Sequence, residues 1–229
     1  MINACNATVH TPILLKTPFG TAKIYTNPYR YSILTNYESQ ELEALLMWMK
    51  QHDGWRRSLT SFYDQYEMRF SANDTLGIVP FINLNNIAKI IEHFKVVYVT
   101  DFHPFVTITA HILEEGQGIG IHSDASEDLG ETHRLLIQLN HNWDLNNGGQ
   151  LIFFTEKNKQ AVHHVIVPEF GSLITFECNE SSYHAVSDIK SGKRYTLVIS
   201  GWEKNSNQPK DYAEAVKASE EGCVFKLIG

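Results

Sequence analysis

A mainly β chain with flanking helices, its strands closing into a jelly roll, is what this sequence predicts, and three observations carry that expectation. From about residue 98 onward apolar residues recur with period two. Eight short runs of this kind follow one another, separated by clusters of Gly, Asn, Asp and Ser. The two amphipathic helical patterns both lie upstream, so the helices fall on one side of the strands.

Taken in chain order, residues 41–49 place Leu42, Leu45, Leu46 and Met49 on one helical face, with Gly54 marking the stop. A second helix is predicted with Asn85 as N-cap and with Ile87, Ile90, Ile91 and Phe94 at helical spacing. Both helices are expected to cover one face of a sheet. The first strand is read from Val106, Ile108, Ala110 and Ile112, which alternate with Thr107, Thr109 and His111. Further strands are predicted at 119–123, 134–140, 150–154, 162–167, 172–177, 183–187 and 194–201. Eight evenly spaced antiparallel strands favour a double sheet of two Greek keys, whose mouth is a natural place for a site. Gly148-Gly149 reads as a turn, and residues 211–218 as a short polar helix.

The 229 residues carry no internal repeat, low-complexity tract or Pro/Ser-rich linker, so one domain is expected over 1–229. Within it, 1–97 is a helix-containing support region, 98–203 the jelly-roll core and 204–229 a tail. A hydrophobic fraction of 43% and 20% charged residues describe an ordinary soluble globular chain. The formal charge of -7, with no Lys/Arg-rich block, disfavours nucleic acid as a partner. No apolar run approaches the length of a membrane span, and residues 1–16 lack the basic start and apolar stretch of a leader, so a cytoplasmic protein with no membrane partner is expected. Cys5, Cys178 and Cys223 are odd in number and far apart, which indicates reduced thiols and neither a disulfide framework nor a thiolate zinc site.

Ile121-His122-Ser123-Asp124 contains H-x-D on a predicted strand, where residues i and i+2 share a face and can converge on one ion. With 11 His in the chain, roughly 0.4 such motifs arise by chance, so the motif alone is weak. It gains weight because His184 lies on a later predicted strand. Two imidazoles and one carboxylate with open positions is the facial set that suits non-haem Fe(II), although it also serves hydrolytic zinc. Arg194, ten residues after His184 and at the start of a strand, tilts the choice. Its planar fork can take a carboxylate bidentately, which a metal hydrolase does not need and a chelating cosubstrate with a distal carboxylate does.

The segment from about Thr107 to Trp202 resembles the catalytic core of the Fe(II)/2-oxoglutarate dioxygenases, in their prolyl-4-hydroxylase-like branch. The likeness is carried, in order, by residues 116–124 (GQGIGIHSD), 135–140 (LLIQLN), 148–151 (GGQL), 171–176 (GSLITF), 182–186 (SYHAV), 192–196 (GKRYT) and 200–202 (SGW). It implies a double-stranded β-helix (jelly roll), with His122, Asp124 and His184 as iron ligands and Arg194 on the C5 carboxylate of 2-oxoglutarate. Thr196, two residues on in the same strand, would face the same way and hydrogen-bond that carboxylate. Gln138 stands where some relatives have a cosubstrate-binding tyrosine, so that contact is either amide-mediated or replaced by another group.

The resemblance further implies Fe(II) as cofactor, 2-oxoglutarate and O2 as cosubstrates, and release of succinate and CO2 as a substrate C–H bond is hydroxylated. Asp124 favours hydroxylation over halogenation, because related halogenases have Gly or Ala at that position. The substrate expected is small or peptidyl: an amino acid, a peptidyl residue such as proline, or a related biosynthetic intermediate. A demethylase of the nucleic-acid repair type would show a second Arg six residues after Arg194, and position 200 is Ser. A non-catalytic jelly-roll metal-binding or sensing module and a zinc hydrolase are the alternatives from other classes. His103, His111, His133, His141, His163 and His164 have neither the spacing nor the motif context of ligands and are read as ordinary surface or core residues. Trp55, Phe62, Tyr63, Tyr66 and Phe70 are read as packing onto the sheet in preference to lining a pocket, while Arg134, Trp143 and Trp202 fall near the site in sequence with no assigned contact.

Overall fold

The computed structural model describes residues 11–125, 130–204 and 222–227. Their elements run β1 (Ile13–Thr17), β2 (Gly20–Tyr25), β3 (Tyr31–Leu34), α1 (Gln40–Gln51), β4 (Arg56–Leu59), β5 (Asp64–Arg69), α2 (Ala72–Thr75) and α3 (Leu84–Tyr98). They continue with β6 (Phe102–Leu113), β7 (Ile119–His122), β8 (His133–Gln138), β9 (Leu151–Phe154), β10 (Val162–Ile166), β11 (Leu173–Glu177), β12 (His184–Val186), β13 (Arg194–Glu203) and β14 (Phe225–Lys226). A large sheet has the order β1-β2-β3-β11-β8-β13-β6-β5-β4, with β14 beside β6, and a four-stranded sheet has the order β10-β9-β12-β7. Every strand pairing is antiparallel, and two facing sheets of this kind make the jelly roll expected from the sequence.

Alternation along the strands builds two apolar layers on opposite faces of the large sheet. Leu135 and Ile137 of β8 and Leu197 and Ile199 of β13 join Leu42, Leu45 and Met49 of α1 and Ile87, Ile90 and Phe94 of α3. On the other face, Leu136, Ile174, Phe176 and Val198 meet Leu151, Phe153, Ile166 and Val186 of the small sheet. The helices therefore cover one face, as expected, and the site-bearing face looks between the sheets.

All eight predicted strands are present. Six more, β1 to β5 and β14, were not expected, and five of them extend the same large sheet out of the supposed support region. The predicted N-cap also shifts: Asn83, not Asn85, caps α3, its side chain accepting from the Asn86 amide at 3.0 Å. Asn83 holds this place because its side chain, with that of Asn86, also donates to Glu41 at 3.0 and 2.7 Å, which ties α3 to the first turn of α1. The tail helix expected at 211–218 lies outside the described residues. Among the described residues no helix is long and apolar enough to cross a membrane.

Candidate active site

β7 and β12 are neighbours in the small sheet, and their register sets His184 directly opposite His122. The two rings lie 4.2 Å apart between centroids. β7 ends at His122, so Asp124 stands just beyond the strand and not within it, as the sequence had implied. The chain still brings its carboxylate back onto both imidazoles, with Oδ1 3.3 Å from His122 Nε2 and Oδ2 3.2 Å from His184 Nε2. One candidate ligand atom from each of the three residues lies within 4.8 Å of the others.

Each imidazole is oriented from behind. His122 Nδ1 lies 2.9 Å from the Gly120 carbonyl, and His184 Nδ1 lies 2.8 Å from the Ser182 carbonyl. A carbonyl can only accept, so both rings donate from Nδ1 and face Asp124 with Nε2. Burial alone would raise the Asp124 carboxyl, but Arg134 and the two imidazoles outweigh it and hold the group well below the usual range. Arg134 Nη1 lies 2.8 Å from Asp124 Oδ2, and the same guanidinium pairs with Glu131. Arg134 is thus the partner that fixes the carboxylate, a role the sequence did not assign.

Arg194, Thr196 and Gln138 share the inward face of the large sheet, Thr196 being paired with Gln138 across β13 and β8. Arg194 is 3% exposed, and among the described residues its Nε and Nη2 have no hydrogen-bond partner. Burial draws its pKa down to about 10, so it remains a cation at neutral pH. The Thr196 hydroxyl donates to Gln138 Oε1 at 3.1 Å. That bond leaves Gln138 Nε2 as a buried donor with no partner. Arg194 is accommodated by Gly149, where a Cβ would come within 3.1 Å of Arg194 Cδ and 2.7 Å of Ile189 Cδ1. With φ of 76° and 71°, Gly148 and Gly149 make the predicted turn and also leave room for the guanidinium stem.

His111 lies on the same inward face, paired with Thr196. Loss of hydration, then the charges of Arg134 and Arg194, pull its pKa down to about 3, so it is neutral. The alternation of β6 signals its face, but only the register between β6 and β13 shows that this face is the site. The other histidines take the ordinary places expected: His133 packs on Tyr98 with centroids 4.0 Å apart, His141 pairs with Glu43 at 3.0 Å, and His164 Nδ1 contacts the Tyr31 hydroxyl at 2.9 Å. The aromatic cluster divides. Phe70 is core, while Phe62, 42% exposed, sits beside His122 with centroids 5.0 Å apart, held there by Gly120 donating to its carbonyl at 2.6 Å. Trp202 is buried against Phe105, and Trp143 donates to the Gly148 carbonyl at 2.8 Å. A separate cavity of about 530 Å³, lined in part by Glu43, Asn140, His141 and Phe170, contains none of the metal cluster.

Fold and site together define a jelly roll in which two His and one Asp could hold a metal ion, with a buried cation, unpaired among the described residues, on the inner face of the large sheet. Residues 108–204 match the family model of the 2OG-Fe(II) oxygenase superfamily, which bears out the resemblance seen in the motifs. The matched segment, which holds His122, Asp124, His184 and Arg194, is similar to these dioxygenases, a family that uses Fe(II), 2-oxoglutarate and O2. The chain is 25% identical to prolyl 3-hydroxylase OGFOD1 of Mus musculus over 202 residues, which cover 82% of this chain but only 35% of that protein. In fold it is similar to a Pseudomonas putida prolyl-4-hydroxylase, with a TM-score of 0.63 and 16% identity over 76% of this chain and 93% of that one. It is also similar to a Trichoplax adhaerens prolyl hydroxylase solved with a hypoxia inducible factor peptide fragment, with a TM-score of 0.62 and 16% identity over 78% and 87% of the two chains.

Proposed function

We propose that this chain hydroxylates an unactivated C–H bond of an amino acid, a peptidyl residue such as proline, or a related biosynthetic intermediate. The observation that carries the reading is Arg194, a guanidinium 3% exposed whose Nε and Nη2 are unpartnered on the inner face of the sandwich. A buried cation of this kind fits an anionic ligand, and its planar fork fits a carboxylate. Two imidazoles and a carboxylate kept ionised by Arg134 are a donor set suited to Fe(II). His122, Asp124 and His184 would hold the iron, and Arg194 the distal carboxylate of 2-oxoglutarate. Gln138 Nε2, aimed by Thr196, would donate a second hydrogen bond to the cosubstrate. Thr196 then acts through Gln138, since its own proton is already given to Oε1.

When bound, iron and 2-oxoglutarate together supply the oxidising chemistry, with decarboxylation to succinate. The protein's part is to hold three ligand atoms on one side, anchor the cosubstrate and keep water from the inner face. A prolyl substrate is supported by the mouse relative, and a peptidyl one by the Trichoplax enzyme that holds a peptide. A cytoplasmic location fits the free thiol of Cys178. The test is incubation of the iron-loaded chain with 2-oxoglutarate, isotopically labelled dioxygen and a panel of free amino acids and proline-containing peptides. One labelled oxygen atom in a product, matched mole for mole by succinate, is the expected result. Iron binding with no succinate from any panel member would favour the binding-module reading.

A further inference from the structure

The inward face of the large sheet runs on past the metal cluster onto β6, β5 and β4. Register places Arg56, Glu67, His111, Thr196 and Gln138 in one row across the sheet. Arg69, Thr109, Val198 and Leu136 form the next row. Residues in such a row share a face, and the alternate residues Met68 and Phe70 pack on the helix-side core. At the β4–β5 end, a cavity of about 390 Å³ is lined by Gly54, Arg56, Glu67, Met68 and Arg69. His111, opposite Glu67 on one side and Thr196 on the other, joins the cavity's row to the inward face of β13 and β8.

The cations here are unequally used. Arg57 is committed to Asp64 through two bonds of 2.8 and 2.6 Å, and Arg134 to Asp124 and Glu131. Among the described residues neither Arg56 nor Arg69 forms an ion pair. Glu67 stands between them in the register and leaves the cavity wall with a net positive charge. In a chain of formal charge -7, this is a local reversal of sign, on the sheet face that also carries Thr196 and Gln138.

We propose that this cavity receives a carboxylate of the prime substrate, held by Arg69 from the sheet and Arg56 from the edge strand. The substrate is then an acid: a free amino or organic acid, or a peptide with an acidic residue beside the oxidised one. The inference rests on the oxygenase reading and deepens it. Guanidinium forks suit a carboxylate, and the two anion sites stay distinct, because the rows of Arg69 and Arg194 lie on opposite sides of the His111 row, roughly 13 Å apart along the strands.

The experiment is calorimetric titration of the chain loaded with Fe(II) and 2-oxoglutarate under argon, with matched acids and amides. The pairs are aspartate and asparagine, N-acetylproline and its amide, and the peptides Gly-Pro-Asp and Gly-Pro-Asn. An acid is expected to bind at least about tenfold more tightly than its amide. Arg69→Gln should remove most of that preference, Arg69→Lys should keep part of it, and Arg69→Glu should turn it toward the neutral partner. Whether the free acid or the peptide shows the larger ratio identifies the source of the carboxylate. Equal binding of acids and amides, a preference that survives in an Arg56→Gln/Arg69→Gln double variant, or no binding by any acid would overturn the proposal. The visible band of the iron–cosubstrate chelate is read first in the wild type: its absence counts against the oxygenase reading, its presence without acid preference against this inference alone.

Discussion

Arg194 is where the fold carries a desolvation cost. A guanidinium 3% exposed, with Nε and Nη2 unpartnered, opposes folding until an anion arrives. Replacing it with an apolar side chain of similar length should therefore stabilise the metal-free chain while damaging cosubstrate binding. For Arg194→Met we expect a higher urea midpoint, worth about 1–2 kcal/mol, together with 2-oxoglutarate binding weakened by about 2–5 kcal/mol. Loss of stability with unchanged binding would mean that the guanidinium serves packing. Gln138 gives a smaller version of the same test. Gln138→Leu removes the unpaired Nε2 donor and should weaken 2-oxoglutarate by about 0.5–1.5 kcal/mol, read in the same anaerobic titration. At this scale His122, Asp124, His184 and Arg194 were legible because residue type and local spacing advertise them. Gln138 was legible as a position, but which of its two amide atoms is free depends on Thr196 across the strand pair.

Pairings between elements decide what the sequence leaves open. The two histidines converge because β12 and β7 are in register at His184 and His122, and Arg134 reaches Asp124 from β8 of the other sheet; no periodicity within one segment states either fact. The same limit hid His111 and β1 to β5. β4 and β5 line an open, charged surface and so lack apolar alternation, and β1 and β2 form a short hairpin at a sheet edge. Helix packing yields its own prediction. Glu41 receives bonds from both Asn83 and the buried Asn86, so Glu41→Ala should destabilise the chain by about 1–3 kcal/mol in urea. A change under a few tenths would show the clamp to be idle.

The helix-side layer also buries His93 and His133, and burial lowers their pKa values to about 4 and about 3. Below the unfolded value near 6.5 the unfolded chain takes up protons that these two native imidazoles refuse, so stability falls as pH falls. Each should cost about 1.5 kcal/mol between pH 6.5 and 5, measurable in the metal-free chain by urea unfolding. His133→Phe should flatten the slope by its share; an unchanged slope would show that His133 is already charged in the native state.

Across the whole molecule, β1 to β5 join the large sheet directly, with β3 beside β11 and β5 beside β6. The regions that the sequence separates as support and core thus share backbone hydrogen bonds and one helix-side layer. The metal-free chain should unfold in a single transition, the same by far-ultraviolet dichroism and by tryptophan fluorescence; separate midpoints would show two units. The jelly roll was legible because β6 to β13 announce themselves by alternation and turn residues, whereas the reach of the sheet was not, since edge and cavity-lining strands follow no apolar pattern.

The central claim, that this inner face assembles Fe(II) and 2-oxoglutarate together, is tested most directly by anaerobic titration of the metal-free chain with both. A weak visible charge-transfer band of the chelate is expected, absent in His184→Ala and requiring much more 2-oxoglutarate in Arg194→Ala. Fe(II) binding with no such band at any 2-oxoglutarate concentration would contradict it.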